Sequence, residues 1–467
     1  MGVGYEIFEK FFAPSSIALI GASPVKGTIG RAIMDNLIER FKGRIYPVNV
    51  KYDEVLGFKA YKSCAELPET PDLVVVAVPA KVVPSVLDEC GLRGVKAAIV
   101  ISAGFKEVGP QGEMLEKELV SIARKHGMRV IGPNCLGIYD AYTGLDTIFN
   151  PSDRQSKPLP GDVAFISQSG ALGAAVLDWL SEAGVGMSKF VSFGNAADVK
   201  EWELIEFLAY DPKTKVILAY IEGVEDGRKF LNSIKTAVKL GKPVVILKAG
   251  KSEKGMKAVA SHTGSLAGSY QVYEAALKQA GAIVVKELNE LILVAKALSW
   301  LPVPKGNNLA IVTNGGGAGV LATDAAELEG LKIVELSSEV KEYLRRELPP
   351  AASVQNPVDI LGDAPPARYK IAVEAVLKDD NVDLVLVITL MQSPAFEPLG
   401  FVKELSTLVK SYRKPVVLAS PGGSYTERHI ETLEREVKIP AFKTPEEAIK
   451  ALKYVFLWSE ISKRHTS

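Results

Sequence analysis

Short runs of β-branched and aliphatic residues alternate along the chain with longer amphipathic stretches. The first 80 residues show this in the segments SIALIGAS, GRAIMDNLIERF, GRIYPVNV and DLVVVAVPA. Short apolar runs are typical of buried parallel strands, and the longer stretches are typical of helices that cover a sheet. The sequence therefore predicts an α/β protein with parallel sheets and helices on both faces.

One strand–turn–helix pattern occurs three times. Its copies are SIALIGASPVKGTIGRAI, DVAFISQSGALGAAVLDWL and NLAIVTNGGGAGVLATDAA, each with a turn rich in small residues before the helix. Proline-containing breaks, NPSDRQSKPLPG and LPVPKGNN, precede the second and third copies. We therefore predict three successive doubly wound domains, 1–150, 151–303 and 304–467.

Composition narrows the functional class. The 467 residues include 55 Lys+Arg and 55 Asp+Glu, so bulk charge gives no indication of a nucleic-acid or membrane surface. No apolar run is long enough to span a membrane, and the N-terminal segment lacks a secretion signal. A cytoplasmic protein is expected. The three cysteines, Cys64, Cys90 and Cys135, are too widely spaced for a disulfide framework or a zinc site, and no metal site is predicted.

The repeated turn suggests anion binding. A helix N-terminus offers unpaired backbone N–H groups and the positive end of the helix dipole, and small residues let a phosphate approach them. Ordinary helix capping is the alternative for any single turn. Three such turns in one chain favour phosphate chemistry.

Two nucleotide motifs are incomplete. The glycines of the first turn, IGASPVKGTIG, do not have GxGxxG spacing, and the next strand ends at Lys51 where a dinucleotide site would need an acidic residue. A cation at that position suits a ligand phosphate. The segment LKAGKS resembles the end of a P-loop, but Val245 stands where its first glycine is required. The chain therefore shows no nucleoside-triphosphate motif of its own.

The second turn, ISQSGALG, predicts a phosphate site. It is not a nucleophile elbow, because Ser167 stands where GxSxG requires glycine. The hydroxyls of Ser167 and Ser169, with the backbone N–H groups of Gly170 and Ala171, would bind inorganic phosphate. A plain N-cap is the alternative.

An acidic residue and a histidine follow. The strand in VILAYIEGVEDGRKF leads to Glu222 at its carboxyl end, where open α/β sheets carry their sites. Such a carboxylate could orient an imidazole and favour its charged form. His262, one of four histidines, lies in KAVASHTGSLAGS, which we predict to be a loop of small residues that leaves the imidazole free to approach a phosphoryl group. A structural histidine is the alternative.

The motifs together resemble a known family. IGAS, YPVNVK, VPA, IGPNCLG, ISQSGALG, YIEGVEDGR, SHTGSLAGS, TNGGGAG and NPVDI occur in this order from residue 20 to residue 360. In this respect the chain resembles the alpha subunits of the NDP-forming acyl-CoA synthetases, especially those of the archaeal ADP-forming acetyl-CoA synthetase type, which are related to succinyl-CoA synthetase. The resemblance implies an N-terminal Rossmann-like CoA-binding domain, followed by two flavodoxin-like domains of the succinyl-CoA-synthetase type.

The resemblance also implies residue roles. His262 would be the phosphohistidine, Glu222 its supporting carboxylate, and the serine turn the phosphate site. The implied CoA contacts are Gly21, Ala22, Ser23, Lys51, Pro79, Ser102 and Asn134. A second phosphate-binding helix start would comprise Asn314, Gly315, Gly316 and Gly317. His126, His429 and His465 match no motif and are expected to be structural or exposed.

The implied reaction converts acyl-CoA, ADP and phosphate into a small carboxylic acid, CoA and ATP, through an acyl phosphate and a phosphohistidine. The sequence shows no ATP-grasp-like segment, so the resemblance implies a separate beta subunit that carries ADP or ATP with Mg²⁺, in an assembly such as α2β2. The acyl group stays open among acetate, branched acids, aryl acids and succinate. The alternatives from other classes are a non-catalytic CoA-binding protein and an NAD-dependent oxidoreductase, and Lys51 argues against the second.

Overall fold

The computed structural model describes residues 5–263 and 269–466. The chain divides into two compact units, Met1–Ile292 and Leu293–Ser467. Two large sheets lie in the first unit, and a third lies in the second. Parallel pairing predominates in all three, which confirms the predicted α/β class.

The first sheet contains the N-terminal strands. Its strands and the small hairpin beside it are β1 Ser16–Ile20, β2 Arg44–Val48, β3 Glu54–Val55, β4 Phe58–Lys59, β5 Leu73–Val76, β6 Ala97–Val100 and β7 Arg129–Ile131. The helices are α1 Tyr5–Phe12, α2 Ile29–Arg40, α3 Val83–Leu92 and α4 Pro110–Lys125, with 3₁₀ turns at Cys64–Glu66, Ala80–Val82 and Lys106–Val108. The order β2–β1–β5–β6–β7 reverses beside β1. A ligand crevice is therefore expected where β1 and β5 end.

The second sheet completes the first unit. Its strands are β8 Ile138–Asp140, β9 Leu145–Asp146, β10 Pro160–Ser167, β11 Met187–Ser192, β12 Val216–Ile221, β13 Val244–Lys248 and β14 Ile283–Val285. The helices are α5 Gly170–Glu182, α6 Glu201–Tyr210, α7 Gly227–Lys239, α8 Glu253–Thr263, α9 Tyr270–Gln279 and α10 Leu288–Trp300. The order is β14–β13–β12–β10–β11–β8–β9. The reversal beside β10 places the turn after β10 next to the turn after β12.

Two short strands precede the predicted domain boundary at residue 150. β8 pairs antiparallel with β11, and β9 pairs antiparallel with β8, so both extend the second sheet. A buried ion pair between Lys157 Nζ and Asp146 Oδ2, 2.8 Å apart, links this edge to the segment that follows it. The second sheet therefore begins at β8, within the range 1–150 that was predicted for the first domain.

The second unit has its own sheet. The strands are β15 Asn308–Thr313, β16 Lys332–Ile333, β17 Val358–Asp359, β18 Leu384–Ile388, β19 Val416–Ala419 and β20 Ala441–Phe442. The helices are α11 Gly316–Leu328, α12 Ser338–Glu347, α13 Pro366–Lys378, α14 Pro398–Ser411, α15 Ser424–Val437 and α16 Pro445–Thr466. The order is β16–β15–β18–β19–β20, with β17 also paired to β15. Here the turn after β15 lies beside the end of β18.

Burial explains the apolar runs in the sequence. Every residue of β1, β5, β13 and β18 is buried, as expected for parallel strands covered by helices on both faces. The runs are therefore continuous rather than alternating. No helix within the described part of the chain is long and apolar enough to cross a membrane.

Candidate functional site

The first turn is shaped by glycine and by an asparagine. Gly21 has a φ of +95°, and a Cβ atom there would lie 2.4 Å from the Ala77 carbonyl oxygen, so a side chain is excluded. Asn49 Nδ2 donates to the Ala22 carbonyl at 2.7 Å, while Asn49 Oδ1 accepts from the Lys51 N–H at 2.8 Å. Asn49 thus connects the predicted turn to Lys51, a role that no motif in the sequence indicates.

Helix α2 begins later than the predicted contacts suggest. Its N-cap is Thr28, whose hydroxyl accepts from the Arg31 N–H at 3.3 Å. Ser23 lies within the preceding turn, where its Oγ accepts from the Val25 N–H at 3.1 Å. Gly21, Ala22 and Ser23 therefore line the strand end, and the unpaired N–H groups of the helix lie several residues further on.

A cleft of about 760 Å³ brings predicted CoA and phosphate residues together. We call it the serine cleft, and it is lined in part by Pro79, Ser102, Asn134, Ser169, Gly170 and Ala171. Hydrogen bonds order its wall, because Ser102 Oγ donates to the Val78 carbonyl at 2.5 Å and the Asn134 N–H donates to the Ser102 carbonyl at 2.9 Å. The serine cleft thus spans the first two sheets, although Gly21, Lys51 and Glu222 do not line it.

The two serines of the second turn have different roles. Ser167 is fully buried, and its hydroxyl donates to the Ser169 carbonyl at 2.7 Å, which closes the turn. Ser169 is the N-cap of α5, and its Oγ accepts from the Leu172 N–H at 3.3 Å. A capping hydroxyl still carries its own proton, so Ser169 can donate to an anion in the serine cleft. Capping and phosphate binding are therefore compatible at Ser169, whereas Ser167 holds the turn in shape.

Gln168, between these serines, links the turn to Glu222. Its Nε2 donates to the Gly223 carbonyl at 3.0 Å, and its Oε1 accepts from the N–H groups of Gly223, at 3.0 Å, and Glu222. Gln168 was not among the predicted site residues. The sequence did offer one signal, since an amide side chain is the third residue of both ISQSGALG and VTNGGGAG.

Glu222 directly follows β12, as predicted, and is 5% exposed. Burial, reinforced by the Glu222 charge, raises the pKa of Tyr220. On the other side, Lys248 Nζ donates to the Glu222 carbonyl at 2.7 Å and to the Ala249 carbonyl at 2.6 Å. Burial lowers the pKa of Lys248 to about 8, although the attraction of Glu222 opposes the shift. A buried lysine that sequence reasoning missed thus bonds the carbonyl of the predicted residue Glu222.

The prediction of a loop at His262 is wrong for the backbone. Helix α8, Glu253–Thr263, includes this residue. Helix α8 lies beside the 3₁₀ turn Lys106–Val108. The side chains of residues 260–263 and all of residues 264–268 lie outside the described part of the structure, so the imidazole of His262 is not described.

The third turn repeats the second. Thr313 Oγ1 donates to the Gly315 carbonyl at 3.0 Å, as Ser167 does to Ser169. Asn314 Oδ1 accepts from the Leu390 N–H at 2.8 Å, and its Nδ2 donates to the Leu390 carbonyl at 3.1 Å. The Asn314 side chain is therefore engaged with the strand end. Phosphate binding at this turn would depend on the backbone of the three glycines, Gly315, Gly316 and Gly317.

A second cleft, of about 700 Å³, lies on another side of Gln168. We call it the Glu201 cleft, because the buried residue Glu201 lines it. Its basic lining residues are Lys106, Lys117, Arg124 and Lys200. Glu201 is 2% exposed, and its Oε1 has no hydrogen-bond partner among the described residues. Burial raises its pKa to about 7.

Glu201→Gln should stabilise the protein in alkaline solution but not in mild acid. The folded chain keeps a proton on Glu201 that the unfolded chain releases, so the free energy of unfolding of the wild type falls as pH rises from about 4.5 to about 7. The variant should gain up to about 3 kcal/mol at about pH 8 and little at about pH 5, measured by urea unfolding. Glu206→Gln, on the exposed face of α6, is the control. A gain that is equal at both pH values would contradict the assignment.

Three family models match successive parts of the chain. They are the CoA binding domain at residues 15–141, the succinyl-CoA ligase like flavodoxin domain at 160–298, and the Ligase-CoA domain at 309–464. Each range contains most of one sheet. The order agrees with the order implied by the sequence motifs.

Similar proteins extend over nearly the whole chain. It is 45% identical over 468 residues to the Pyrococcus furiosus acetate–CoA ligase [ADP-forming] I subunit alpha, covering 98% of this chain and 99% of that one. It is 44% identical to the Archaeoglobus fulgidus acetate–CoA ligase [ADP-forming] I, covering 97% of this chain and 64% of that one. A solved structure of the dinucleotide forming acetyl-coenzyme A synthetase 1 of Ca. Korarchaeum cryptofilum, in complex with phosphate and ADP, has 39% identity, 98% coverage of both chains and a TM-score of 0.91. The chain therefore belongs to the family of ADP-forming acetate–CoA ligase alpha subunits.

Proposed function

We propose that this chain is the alpha subunit of an ADP-forming acyl-CoA synthetase, working through an acyl phosphate and a phosphohistidine at His262. The observation that carries the proposal is the serine cleft. It places Pro79, Ser102 and Asn134 of the CoA-binding part beside the start of helix α5. A thioester bound along the first sheet could thus meet a phosphate held by Ser169, Gly170 and Ala171.

The chemistry proceeds in three balanced steps. A phosphate oxygen attacks the thioester carbonyl, the C–S bond breaks, and CoA leaves as the thiol after taking a proton. A ring nitrogen of His262 then attacks the phosphorus of the acyl phosphate, the P–O bond breaks, and the carboxylate leaves. Finally, a β-phosphate oxygen of ADP attacks the phosphohistidine, and cleavage of the P–N bond gives ATP. Covalent catalysis thus divides one difficult exchange into easier steps.

The elements described above suit these steps. Phosphoryl transfer depends mainly on positioning and on charge stabilisation, which hydroxyl groups and helix N-termini provide. Lys51, beside the first turn, would contact a CoA phosphate, while Glu222 would orient the imidazole of His262. The three glycines from Gly315 to Gly317 would form the second phosphate-binding helix start.

The name of one relative supports a separate nucleotide-binding subunit. The P. furiosus protein, which the chain matches over 99% of that protein's length, is named a subunit alpha. We place the ADP or ATP site, with Mg²⁺, on a partner subunit of the ATP-grasp type, in an α2β2 complex in the cytoplasm. The acid substrate is a small carboxylic acid.

The purified chain should bind CoA about 100-fold more tightly than MgADP, because it carries a CoA site but no nucleoside-triphosphate motif. Isothermal titration calorimetry measures both affinities. Lys51→Met should weaken CoA binding about fivefold, since it removes one exposed cation beside the ligand phosphates. Lys42→Met is the matched control, because this exposed lysine precedes β2 at its opposite end. Tight MgADP binding by this chain alone would contradict the separate-subunit proposal, and no CoA binding would contradict the function.

A further inference from the structure

Lys248, the last residue of β13, is a buried cation to which the reaction above gives no task. It is 5% exposed, and its Nζ lies 4.9 Å from the centroid of the Tyr273 ring. Burying an ammonium group is costly unless its donors are satisfied. Nζ donates to two backbone carbonyls, and one of them belongs to Glu222.

The peptide groups of Glu222 are therefore held from both sides. Gln168 Oε1 accepts from the Glu222 N–H, and Lys248 donates to the Glu222 carbonyl. Gln168 also bonds both backbone groups of the next residue, Gly223. These bonds hold in place the backbone from which the Glu222 side chain extends, and a fixed starting point of this kind favours a defined geometry at the reacting group.

The second unit shows which part of this arrangement the fold itself needs. The residues that end β10 and β15 pair with Tyr220 and Ile388, which lie two positions before Glu222 and Leu390 respectively. Asn314 bonds the backbone of Leu390 much as Gln168 bonds Glu222 and Gly223. The amide contact thus recurs, but the residue that it holds is acidic only in the first unit.

The sheet of the second unit has no lysine at the position that corresponds to Lys248. Lys248 pairs with Ile221, and the same register in that sheet places Ser420 after β19. Ser420 Oγ lies 2.5 Å from Thr389 Oγ1, so a neutral hydroxyl pair replaces the ammonium group. In the second unit, Leu390 stands at the position of Glu222, and Ser420 stands at the position of Lys248. The same type of sheet therefore forms without the lysine when the acidic residue is absent. Lys248 and Glu222 occur together, which points to a shared task.

We propose that Lys248 is a positioning residue for Glu222: its ammonium group fixes the Glu222 carbonyl and keeps a positive charge beside the carboxylate that supports His262. This inference rests on the proposed function. A phosphoryl group arriving at His262 brings negative charge close to Glu222, and a fixed cation behind that carboxylate offsets the repulsion. The corresponding turn of the second unit has Leu390 and Ser420 in place of the acid and the lysine, so it offers no cation to offset such repulsion.

The test uses the full-length chain with acetyl-CoA and radiolabelled phosphate, without nucleotide. Lys248→Met should slow the labelling of His262 about 10- to 100-fold, with little change in the apparent KM for acetyl-CoA, because the misplaced group acts after thioester binding. Lys248→Arg retains the charge and donors and should recover much of the rate. Lys242→Met is the matched control. Lys242, near the other end of β13, also donates to two carbonyls, those of Leu208 at 3.0 Å and Asp211 at 2.6 Å.

Amide hydrogen exchange provides a measurement that does not depend on turnover. Lys248→Met should speed exchange at residues 222–223 while the rest of the folded chain keeps its protection, and Lys242→Met should leave residues 222–223 protected. Labelling by Lys248→Met at the wild-type rate, or unchanged exchange at residues 222–223, would overturn the inference. Absence of label in the wild type would instead refute the proposed function, and the positioning role would fall with it.

Discussion

His262→Asn should give a folded chain that takes up no phosphoryl label and supports no ATP formation. Asparagine keeps much of the side-chain size and some hydrogen bonding, but it has no nucleophilic ring nitrogen. Since acyl phosphate could still form in the serine cleft, CoA release should continue until the phosphate site is filled. The loss of ATP formation should exceed about 1,000-fold, as expected when the nucleophile of a covalent mechanism is removed.

The measurement is acid-labile, base-stable labelling of the chain with acetyl-CoA and labelled phosphate, followed by transfer to ADP with the partner subunit supplied. His429→Asn is the matched control. His429 lies in helix α15 of the second unit, with its Nδ1 hydrogen-bonded to the Tyr425 carbonyl at 2.8 Å, and its replacement should leave labelling unchanged. If His262→Asn still forms ATP, the mechanism is wrong. Label on His126 or His429 would move the assignment to another histidine.

The strand ends were the most predictable part of the site. Apolar runs that end in small residues define β1, β10 and β15, and Glu222 follows β12 as expected. The sequence also indicated that these turns would lie at carboxyl ends, where parallel sheets bind ligands. Strand order was not visible in the sequence, yet the reversal beside β10 is what brings Gln168 to Glu222.

The loop predicted around His262 shows the limit of composition. The small residues of KAVASHTGS predict a loop, but EKGMKAVASHT contains enough good helix formers for α8 to continue to Thr263. Alanine is both small and strongly helix-forming, so side-chain size alone does not separate the two structures. Short strands such as β8 and β9 were missed because two or three residues carry no periodic signal.

The missed polar residues share one cause. Asn49, Gln168 and Lys248 each bond a backbone group of a turn that is distant in sequence. A backbone carbonyl has no residue-specific signature, so the sequence does not show which side chain will meet it. Motif positions such as Ser167 were instead given the ligand role, although that hydroxyl is used within its own turn.

Gln168→Leu should damage both stability and phosphoryl transfer. Leucine is similar in size but leaves the N–H groups of Glu222 and Gly223 and the Gly223 carbonyl without their side-chain partner. We expect the free energy of unfolding to fall by about 2–3 kcal/mol. The labelling rate of His262 should fall about 100-fold or more, because displacement of Glu222 misorients the imidazole. Urea unfolding and single-turnover labelling measure the two effects.

Gln155→Leu separates these effects from the general cost of removing a buried glutamine. Gln155 is 5% exposed in the same unit, and its Nε2 donates at 2.9 Å to the carbonyl of Ala174 in helix α5 rather than to the Glu222 turn. Its replacement should cost about 1 kcal/mol and leave the labelling rate unchanged. Gln168→Glu keeps an acceptor for both N–H groups and should label faster than Gln168→Leu, despite the added charge. If Gln168→Leu is destabilised but labels as fast as Gln155→Leu, then the amide holds the fold together without positioning Glu222.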